Sequence, residues 1–195
     1  MRRLAKFGLI LLIVVASLLV LGALAATLVF GAKTFRAPSE SMVPTVDVGD
    51  RLVTTKESHP KRGDVVVLNP PAGAADSRCG AQPPLGSACS KPTPGTLDQA
   101  LVKRVVAVGG DRLKVQDGAT VIDGRVQREP YARQDAECQA CNLPREITVP
   151  AGHVFVMGDN RGASDDSRFW GPVRVDDVQG EVRLRYWPLD GFGGL

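Results

Sequence analysis

The stretch LVKRVVAV, residues 101–108, decides the fold that this sequence predicts. It is rich in β-branched residues, as strands are, and side chains along a strand alternate between two faces. One face carries a lysine among apolar residues, and its members are Leu101, Lys103, Val105 and Ala107. The other face carries Val102, Arg104, Val106 and Val108. Lys103 therefore projects from an apolar face, where the loss of water favours the uncharged amine.

Further short segments rich in β-branched residues flank this one, and Gly, Pro, Asn or Asp bounds most of them. They are residues 51–55, 64–68, 112–116, 120–122, 153–157 and 182–187. Asp117-Gly118 and Asp123-Gly124 are typical of the tight turns that join antiparallel strands. No stretch of the body shows a long helical period of apolar residues. The predicted fold class is therefore mainly β, with an antiparallel β-sheet as its core.

The length and the charge distribution exclude some classes of protein. The chain has 195 residues, 44% of them hydrophobic and 23% charged, which suits one membrane-attached domain. The formal net charge is +3, and the whole excess comes from Arg2, Arg3 and Lys6, since basic and acidic residues balance from residue 33 onward. A neutral body argues against nucleic-acid binding, which needs a basic face.

Residues 7–32 carry no charge and consist mostly of Leu, Ile, Val, Ala and Phe. As a helix they would extend about 39 Å, whereas the hydrocarbon core of a bilayer is about 30 Å thick. The segment is therefore predicted to be one N-terminal transmembrane α-helix. The basic residues before it favour a cytoplasmic tail, residues 1–6, and an extracytoplasmic β-rich domain, residues 33–195.

A cleaved signal peptide is the alternative interpretation of this segment. Ala23-Leu24-Ala25 has the small-residue pattern of a cleavage site. The apolar run continues past it to residue 32, however, and is longer than the apolar region of a signal peptide, about 7–15 residues. The sequence therefore favours a retained anchor.

All four cysteines follow the anchor and lie in stretches rich in Gly, Pro, Ser and Gln. Residues 69–99 and 131–144 are interpreted as surface insertions in the sheet, and they contain Cys79, Cys89, Cys138 and Cys141. Four cysteines allow three pairings, of which the local pairs Cys79–Cys89 and Cys138–Cys141 are the simplest. A zinc ion held by all four is the alternative, although an oxidising compartment favours disulfides.

The candidate catalytic groups do not include an obvious histidine. His59 and His153 both lie in turns, so a Ser-His-Asp triad is disfavoured and a nucleophile needs another base. Lys103 can serve if burial lowers its pKa from about 10.4. The alternative is a lysine on an edge strand that reaches water along the sheet.

Two polar segments supply the other candidates. Residues 38–45, PSESMVPT, place two serines two positions apart between prolines, so that one hydroxyl can act as nucleophile and the other can donate to an oxyanion. An ordinary juxtamembrane turn is the alternative. Residues 158–168, GDNRGASDDSR, follow a predicted strand and form either an internally bonded loop, a solvated turn or a calcium-binding loop.

Taken together and in this order, these segments resemble the type I bacterial signal peptidases, which are membrane-bound Ser-Lys serine proteases. The matching motifs are residues 38–45, 62–66, 103–106 with Gly110-Asp111, and 158–171. With the anchor they cover nearly the whole chain apart from the two insertions. Two positions depart from the family pattern. Glu40 stands where the family often has glycine, and we expect it to face water, while residues 108–111, VGGD, lack the proline often found before the final glycine.

The resemblance implies a role for each matching residue. Ser41 would be the nucleophile and Lys103 the general base. Ser39 and the Ser41 backbone N–H would form the oxyanion hole, and Ser164 would orient the Lys103 amine. An ion pair would support the Ser164 loop, and its members are Asp166 and Arg168. The substrate-binding positions implied are Phe35, Ala37, Met42, Val46, Leu101 and Val102.

The implied function is a membrane-anchored serine endopeptidase that removes N-terminal signal peptides from exported preproteins. It would cleave after a small residue through an acyl-enzyme, without a cofactor or a metal. Its partners would be preprotein signal peptides and the lipid bilayer, near the export translocon, in a bacterial cell membrane that it crosses once. The remaining alternatives are a self-cleaving or narrowly specific Ser-Lys peptidase and an anchored β-module that binds a partner without catalysis.

Overall fold

Two compact units make up the chain, and the computed structural model describes residues 2–56, 59–134, 138 and 140–195. The first unit ends at Lys33 and contains helix α1, Arg2–Phe30. The window Gly8–Ala25 of α1 has a mean hydropathy of 2.9, so by length and composition this helix can cross a membrane. The second unit is Thr34–Leu195.

The second unit consists mainly of antiparallel strands arranged in two sheets. In chain order the strands are β1 (Lys33–Arg36), β2 (Arg51–Thr55), β3 (Val65–Leu68), β4 (Leu101–Val108), β5 (Arg112–Gln116), β6 (Ala119–Ile122), β7 (Arg125–Val126), β8 (Leu143–Thr148), β9 (His153–Met157), β10 (Val173–Arg174) and β11 (Val178–Trp187). Short helical segments complete it at Glu40–Met42, Ala72–Ala75, α2 (Ser167–Trp170), Val175–Asp177 and Leu189–Gly191. The predicted fold class, mainly β with one N-terminal apolar helix, is confirmed.

The larger sheet has the order β1-β2-β11-β3-β4-β9-β10, and the pairs from β2 across to β10 are antiparallel. The smaller sheet has the order β7-β6-β5-β8 and is antiparallel throughout. Asp117-Gly118 joins β5 to β6 and Asp123-Gly124 joins β6 to β7, with positive φ at both residues of each turn. Such turns match the twist of a hairpin, so both predicted hairpins are confirmed.

Strand β4 lies inside the larger sheet and is almost entirely buried, between β3 and β9. Its bounds are those predicted from the sequence. The predicted alternation of its side chains between two faces, however, is wrong beyond Val105. The register between β4 and β9 shifts between Val105 and Ala107, as it does at a β-bulge, where an extra residue reverses the faces that follow. As a result Val108, rather than Ala107, packs in the same apolar cluster as Val105.

The sequence-based prediction missed four strands that the structure contains, namely β1, β7, β8 and β10. β8 begins inside the segment interpreted as the second insertion, residues 131–144. Ile147 is its buried residue, whereas most of its other side chains are exposed, because β8 is the outer strand of the smaller sheet. An exposed outer strand lacks the apolar run by which a buried strand is recognised.

The cysteines form the two local disulfides, Cys79–Cys89 and Cys138–Cys141. Each bond closes a turn within one of the two segments interpreted as insertions, as the simplest pairing predicted. The zinc alternative is wrong, because no thiolate remains among these four residues to bind a metal.

Candidate active site

The Ser41 turn, residues 39–46, begins where the chain leaves β1. Glu40–Met42 forms one turn of 3₁₀ helix, which turns Ser41 and Met42 inward while Ser39 and Glu40 stay exposed. Ser41 is 7% exposed, and the Ser39 hydroxyl donates to Ser41 Oγ at 3.2 Å. The expectation that Glu40 faces water is confirmed, so its carboxylate does not enter the site.

Lys103 lies in the middle of the larger sheet and is 3% exposed. Its amine donates to Ser164 Oγ at 3.1 Å and forms no ion pair with any residue that the structure describes. Burial removes water from the ammonium group and lowers the pKa of Lys103 to about 8, although the negative charges of Asp166 and Asp165 partly oppose this shift. At neutral pH about a tenth of the amine is therefore uncharged.

Gly158 explains how Ser41, Lys103 and Ser164 come together. The β4–β9 register pairs Arg104 with Met157, and its continuation places Gly158 across from Lys103. A Cβ atom at Gly158 would overlap both the Ser164 side chain and the Ser41 carbonyl oxygen. The absence of a side chain there lets the Ser41 turn and the Ser164 loop close over the lysine.

The Ser164 loop, residues 158–168, also binds the Ser41 turn through hydrogen bonds. Asn160 N–H donates to Ser41 O at 3.0 Å, and Asn160 Nδ2 donates to Glu40 O at 3.3 Å. Thr45 Oγ1 donates to Asp159 Oδ2 at 2.5 Å. The position of Ser41 therefore depends on this loop as well as on its own turn.

Asp166 and Arg168 form a completely buried ion pair inside the loop, with Nε–Oδ1 and Nη2–Oδ2 distances of 2.8 Å. Asp166 Oδ2 also accepts from Gly158 N–H at 3.0 Å, and Arg168 Nη2 donates to Ser164 O at 3.2 Å. Burial alone would raise the pKa of Asp166, but the charge and hydrogen bonds of Arg168 outweigh it and hold the pKa below its usual range. The pair thus stays ionised and fixes both ends of the loop segment that presents Ser164.

A second buried ion pair, Arg104 with Asp159, lies next to the lysine. Arg104 Nε and Nη2 donate to the two oxygens of Asp159 at 2.8 and 2.7 Å, and Nη1 donates to Gly63 O at 2.7 Å. The guanidinium carbon lies 3.9 Å from the centre of the Tyr131 ring. This pair attaches β4 to the beginning of the Ser164 loop.

The smaller sheet contacts the same loop through Arg161 and Glu129. Arg161 is fully buried and its Nη2 donates to Glu129 Oε1 at 2.8 Å, while Glu129 Oε2 accepts from Thr120 N–H of β6 at 2.8 Å. Burial alone would raise the pKa of Glu129, but the hydrogen bonds and charge of Arg161 outweigh it and lower the pKa below its usual value. The loop is therefore held from both sheets.

Sequence reasoning missed Thr45, Arg104, Asp159 and Asn160. An arginine on an apolar strand is a usable signal, because a buried cation needs a partner. The identity of the partner depends on the register of β4 with β9, which the sequence does not specify.

Most of the predicted substrate-binding residues belong to one apolar cluster. Ala37, Met42, Val46 and Val102 are buried together, and Phe35 packs against them while remaining partly exposed. Leu101 packs instead against a different cluster, which contains Val66 and Trp170. The structure therefore places Leu101 against a cluster that contains none of the other five.

Comparison with known proteins gives one consistent result. The family model described as "Signal peptidase, peptidase S26" matches residues 7–187. The signal peptidase I of Leptolyngbya laminosa is 34% identical over 181 residues, which are 88% of this chain and 79% of that protein. The probable signal peptidase I-1 of Synechocystis sp. is 35% identical over 162 residues, 81% of this chain and 72% of that protein.

Among solved structures, a signal peptidase I from Enterococcus faecalis V583 matches 63% of this chain and 96% of its own, with 25% identity and a TM-score of 0.41. The family that the sequence motifs indicated is confirmed by the family model and the relatives. The chain belongs to the signal peptidase family, peptidase S26.

Proposed function

We propose that this enzyme removes N-terminal signal peptides from exported preproteins, with Ser41 as its nucleophile and Lys103 as its general base. The observation that carries the assignment is the buried Lys103 amine, whose only recorded hydrogen bond in the described residues is to a neutral hydroxyl. A lysine in this environment is uncharged often enough to accept a proton near neutral pH. No other lysine or histidine among the described residues is buried in this way.

Acylation begins when Lys103 Nζ takes the proton of Ser41 Oγ while that oxygen attacks the scissile carbonyl carbon. The carbonyl oxygen becomes an oxyanion and accepts hydrogen bonds from Ser41 N–H and the Ser39 hydroxyl. The Ser39 proton, which points to Ser41 Oγ in the resting enzyme, rotates to the oxyanion as Ser41 Oγ bonds to carbon. Losing one such donor typically costs about 2.7–4 kcal/mol of barrier.

Collapse of this intermediate breaks the C–N bond, and the Lys103 ammonium gives its proton to the leaving amine nitrogen. The neutral amine then takes a proton from water, whose oxygen attacks the ester carbonyl carbon. As the ester C–O bond breaks, the Lys103 ammonium returns this proton to Ser41 Oγ, and the cleaved signal peptide leaves with a free carboxyl group. Ser164 Oγ orients the amine through both steps, because it accepts one N–H and so points the lone pair elsewhere. Asp166 and Arg168 act as support for the Ser164 loop and take no part in proton transfer.

The substrate lies extended near β4 and the segment before Ser39, so that backbone hydrogen bonds give tolerance of sequence. The residues proposed for its side-chain pockets are Phe35, Ala37, Met42, Val46, Leu101 and Val102. Close packing around Ala37, Met42 and Val102 supports a preference for a small residue before the cleaved bond.

We further propose that residues 7–32 anchor the enzyme in a bacterial cell membrane, with residues 1–6 in the cytoplasm and residues 33–195 outside it. The apolar helix and the basic residues before it support this orientation. An enzyme placed there meets signal peptides as they leave the export translocon, which we propose lies nearby.

Cleavage of a preprotein by the full-length enzyme in lipid vesicles tests the proposal. Ser41→Ala and Lys103→Ala are expected to lower cleavage below detection, because one removes the nucleophile and the other the base. Ser87→Ala and Lys114→Ala are the matched controls and should keep full activity, since Ser87 bonds within the first insertion and Lys114 lies in β5 of the smaller sheet.

More than a tenth of wild-type activity in either Ser41→Ala or Lys103→Ala would reject the dyad. Offering two preproteins with unrelated mature sequences also separates a general signal peptidase from a self-cleaving or narrowly specific one. A general enzyme cleaves both in trans.

A further inference from the structure

Asn160 holds both peptide groups that flank the Ser41 Cα atom. Its side-chain Nδ2 donates to the carbonyl oxygen of Glu40 at 3.3 Å, and its backbone N–H donates to the carbonyl oxygen of Ser41 at 3.0 Å. Asn160 is 5% exposed, so water does not compete strongly for these bonds. Asn160 thus contacts the backbone on either side of the proposed nucleophile.

The bond to Glu40 has a consequence on the opposite side of the same peptide group. The Glu40 carbonyl and the Ser41 N–H belong to one planar trans peptide, in which C=O and N–H point in opposite directions. A donor that fixes the carbonyl therefore fixes the direction of the Ser41 N–H. In a 3₁₀ turn that begins at Glu40, this N–H has no partner within the turn, so it is free to meet an oxyanion.

The turn itself supplies a second donor, because Val43 N–H also bonds Glu40 O at 3.1 Å. That bond lies inside the short turn and moves with it. The Asn160 bond comes from a different part of the chain, next to Asp159 and Gly158, which the buried ion pairs hold. It therefore fixes the Ser41 turn relative to the Ser164 loop, which also bonds the Lys103 amine.

The Asn160 side chain makes one hydrogen bond with the described residues, and that bond goes to Glu40 O. Its Oδ1 is buried and accepts no hydrogen bond from the described residues. The Nδ2 bond to Glu40 is the interaction that this side chain contributes.

We propose that Asn160 is a positioning residue for the oxyanion hole, which aims the Ser41 N–H at the reacting carbonyl oxygen through the Glu40–Ser41 peptide group. The inference rests on the proposed roles of Ser41 and Lys103. Asn160 touches neither the substrate nor the lysine amine in this account. It affects the transition state, in which the oxyanion exists, and leaves binding of the uncharged substrate nearly unchanged.

The test compares Asn160→Ala and the isosteric Asn160→Asp with wild type, using the full-length enzyme in vesicles and a preprotein substrate. Asn160→Ala is expected to lower kcat about 10- to 30-fold, less than the 10²–10³-fold typical of losing a donor itself. KM should stay within twofold, and the apparent pKa of kcat/KM should stay unchanged. Asn160→Asp should lower kcat at least as much, because a carboxylate repels Glu40 O instead of donating to it.

Asn69→Ala is the matched control, because Asn69 Nδ2 likewise donates to a backbone carbonyl, Leu97 O at 2.9 Å, but does so in the first insertion. It should leave kcat within twofold of wild type. A peptide aldehyde gives a second readout, since its adduct with Ser41 carries the oxyanion. The inhibition constant of the aldehyde should rise in Asn160→Ala by the factor by which kcat falls. The dissociation constant of an uncleavable peptide should stay unchanged.

The inference is overturned if Asn160→Ala keeps kcat within threefold of wild type. It is also overturned if the variant loses kcat/KM through a higher KM. It is also overturned if substrate-like and aldehyde inhibitors weaken equally. Ser41→Ala separates this failure from failure of the proposed function. An inactive Ser41→Ala with a normal Asn160→Ala removes only the positioning role, whereas an active Ser41→Ala removes the dyad itself.

Discussion

Lys103 and Arg104 are neighbours on β4, both are buried, and their side chains meet opposite surroundings. Arg104 faces the Asp159 carboxylate with two hydrogen bonds and stacks on Tyr131. Lys103 faces the neutral Ser164 hydroxyl, and the nearby carboxylate of Asp166 is already paired with Arg168. The alternation of a strand places the two cations on different faces, so one strand presents both environments.

The difference shows how one strand can hold a buried ion pair next to a buried amine that has no counter-ion in contact among the described residues. A buried cation that is to stay charged needs a carboxylate in contact, as Arg104 has. A buried amine that is to accept a proton needs the opposite, namely an acceptor without charge and no direct counter-ion. Ser164 meets that need, because a hydroxyl orients the amine without holding its proton.

The largest expected effect comes from replacing the Lys103 amine with a group that stays charged. Lys103→Arg keeps a cation on the strand, but a guanidinium does not release its proton in a protein. We expect kcat/KM to fall about 10²–10⁴-fold, the range for loss of a general base. Lys114→Arg in β5 is the matched exchange and should keep most of the activity, since Lys114 lies in the smaller sheet and bonds none of the site residues. A Lys103→Arg enzyme with near-normal turnover of a preprotein would contradict the assignment of the base.

The free energy of unfolding should depend on the buried ion pair of Arg104 and Asp159. Arg104→Met leaves the fully buried Asp159 carboxylate without its cation, and we expect the free energy of unfolding to fall by about 3–5 kcal/mol. Arg174→Met removes a solvent-exposed pair with Asp176 and should leave the free energy of unfolding nearly unchanged. Denaturant unfolding of both variants measures the difference. Equal effects would mean that burial does not distinguish the two pairs.

The smallest expected effect concerns the charge around the lysine. Asp165 raises the pKa of Lys103, so Asp165→Asn removes a negative charge that favours the ammonium form and lowers the pKa. The uncharged fraction at pH 7 then increases, and we expect kcat/KM there to rise about 1.5- to 2-fold. Asparagine still accepts from Ser77, which preserves the loop. The pH–rate profile of Asp165→Asn should move to lower pH. The profile of Asp123→Asn, a control in the smaller sheet, should stay where it is.

The sequence was sufficient for the segments that make the site, because each carries a local signal. β4 was predictable from its β-branched run, and its lysine stood out because an apolar strand rarely carries one. The order of the serine, lysine and Gly158–Arg168 segments indicated the family. Arg104 carried a weaker signal, since a buried arginine requires a partner that the sequence does not name.

What the sequence did not reveal depends on contacts between distant parts of the chain. The bulge after Val105 arises from the pairing of β4 with β9, and nothing in VVAV marks it. The bonds of Asn160 to the Ser41 turn require the β9 end and the chain after β1 to meet in space. An asparagine in a Gly- and Asp-rich loop is otherwise typical of any turn.

The most direct measurement is an NMR titration of the Lys103 amine in the full-length enzyme, with the signal assigned by its loss in Lys103→Met. Burial of this amine beside a neutral hydroxyl predicts a pKa of about 8. The same ionisation should set the acidic limb of kcat/KM, so that activity rises as the pH increases toward that value. A pKa near 10.5, the ordinary value for lysine in water, would contradict the account.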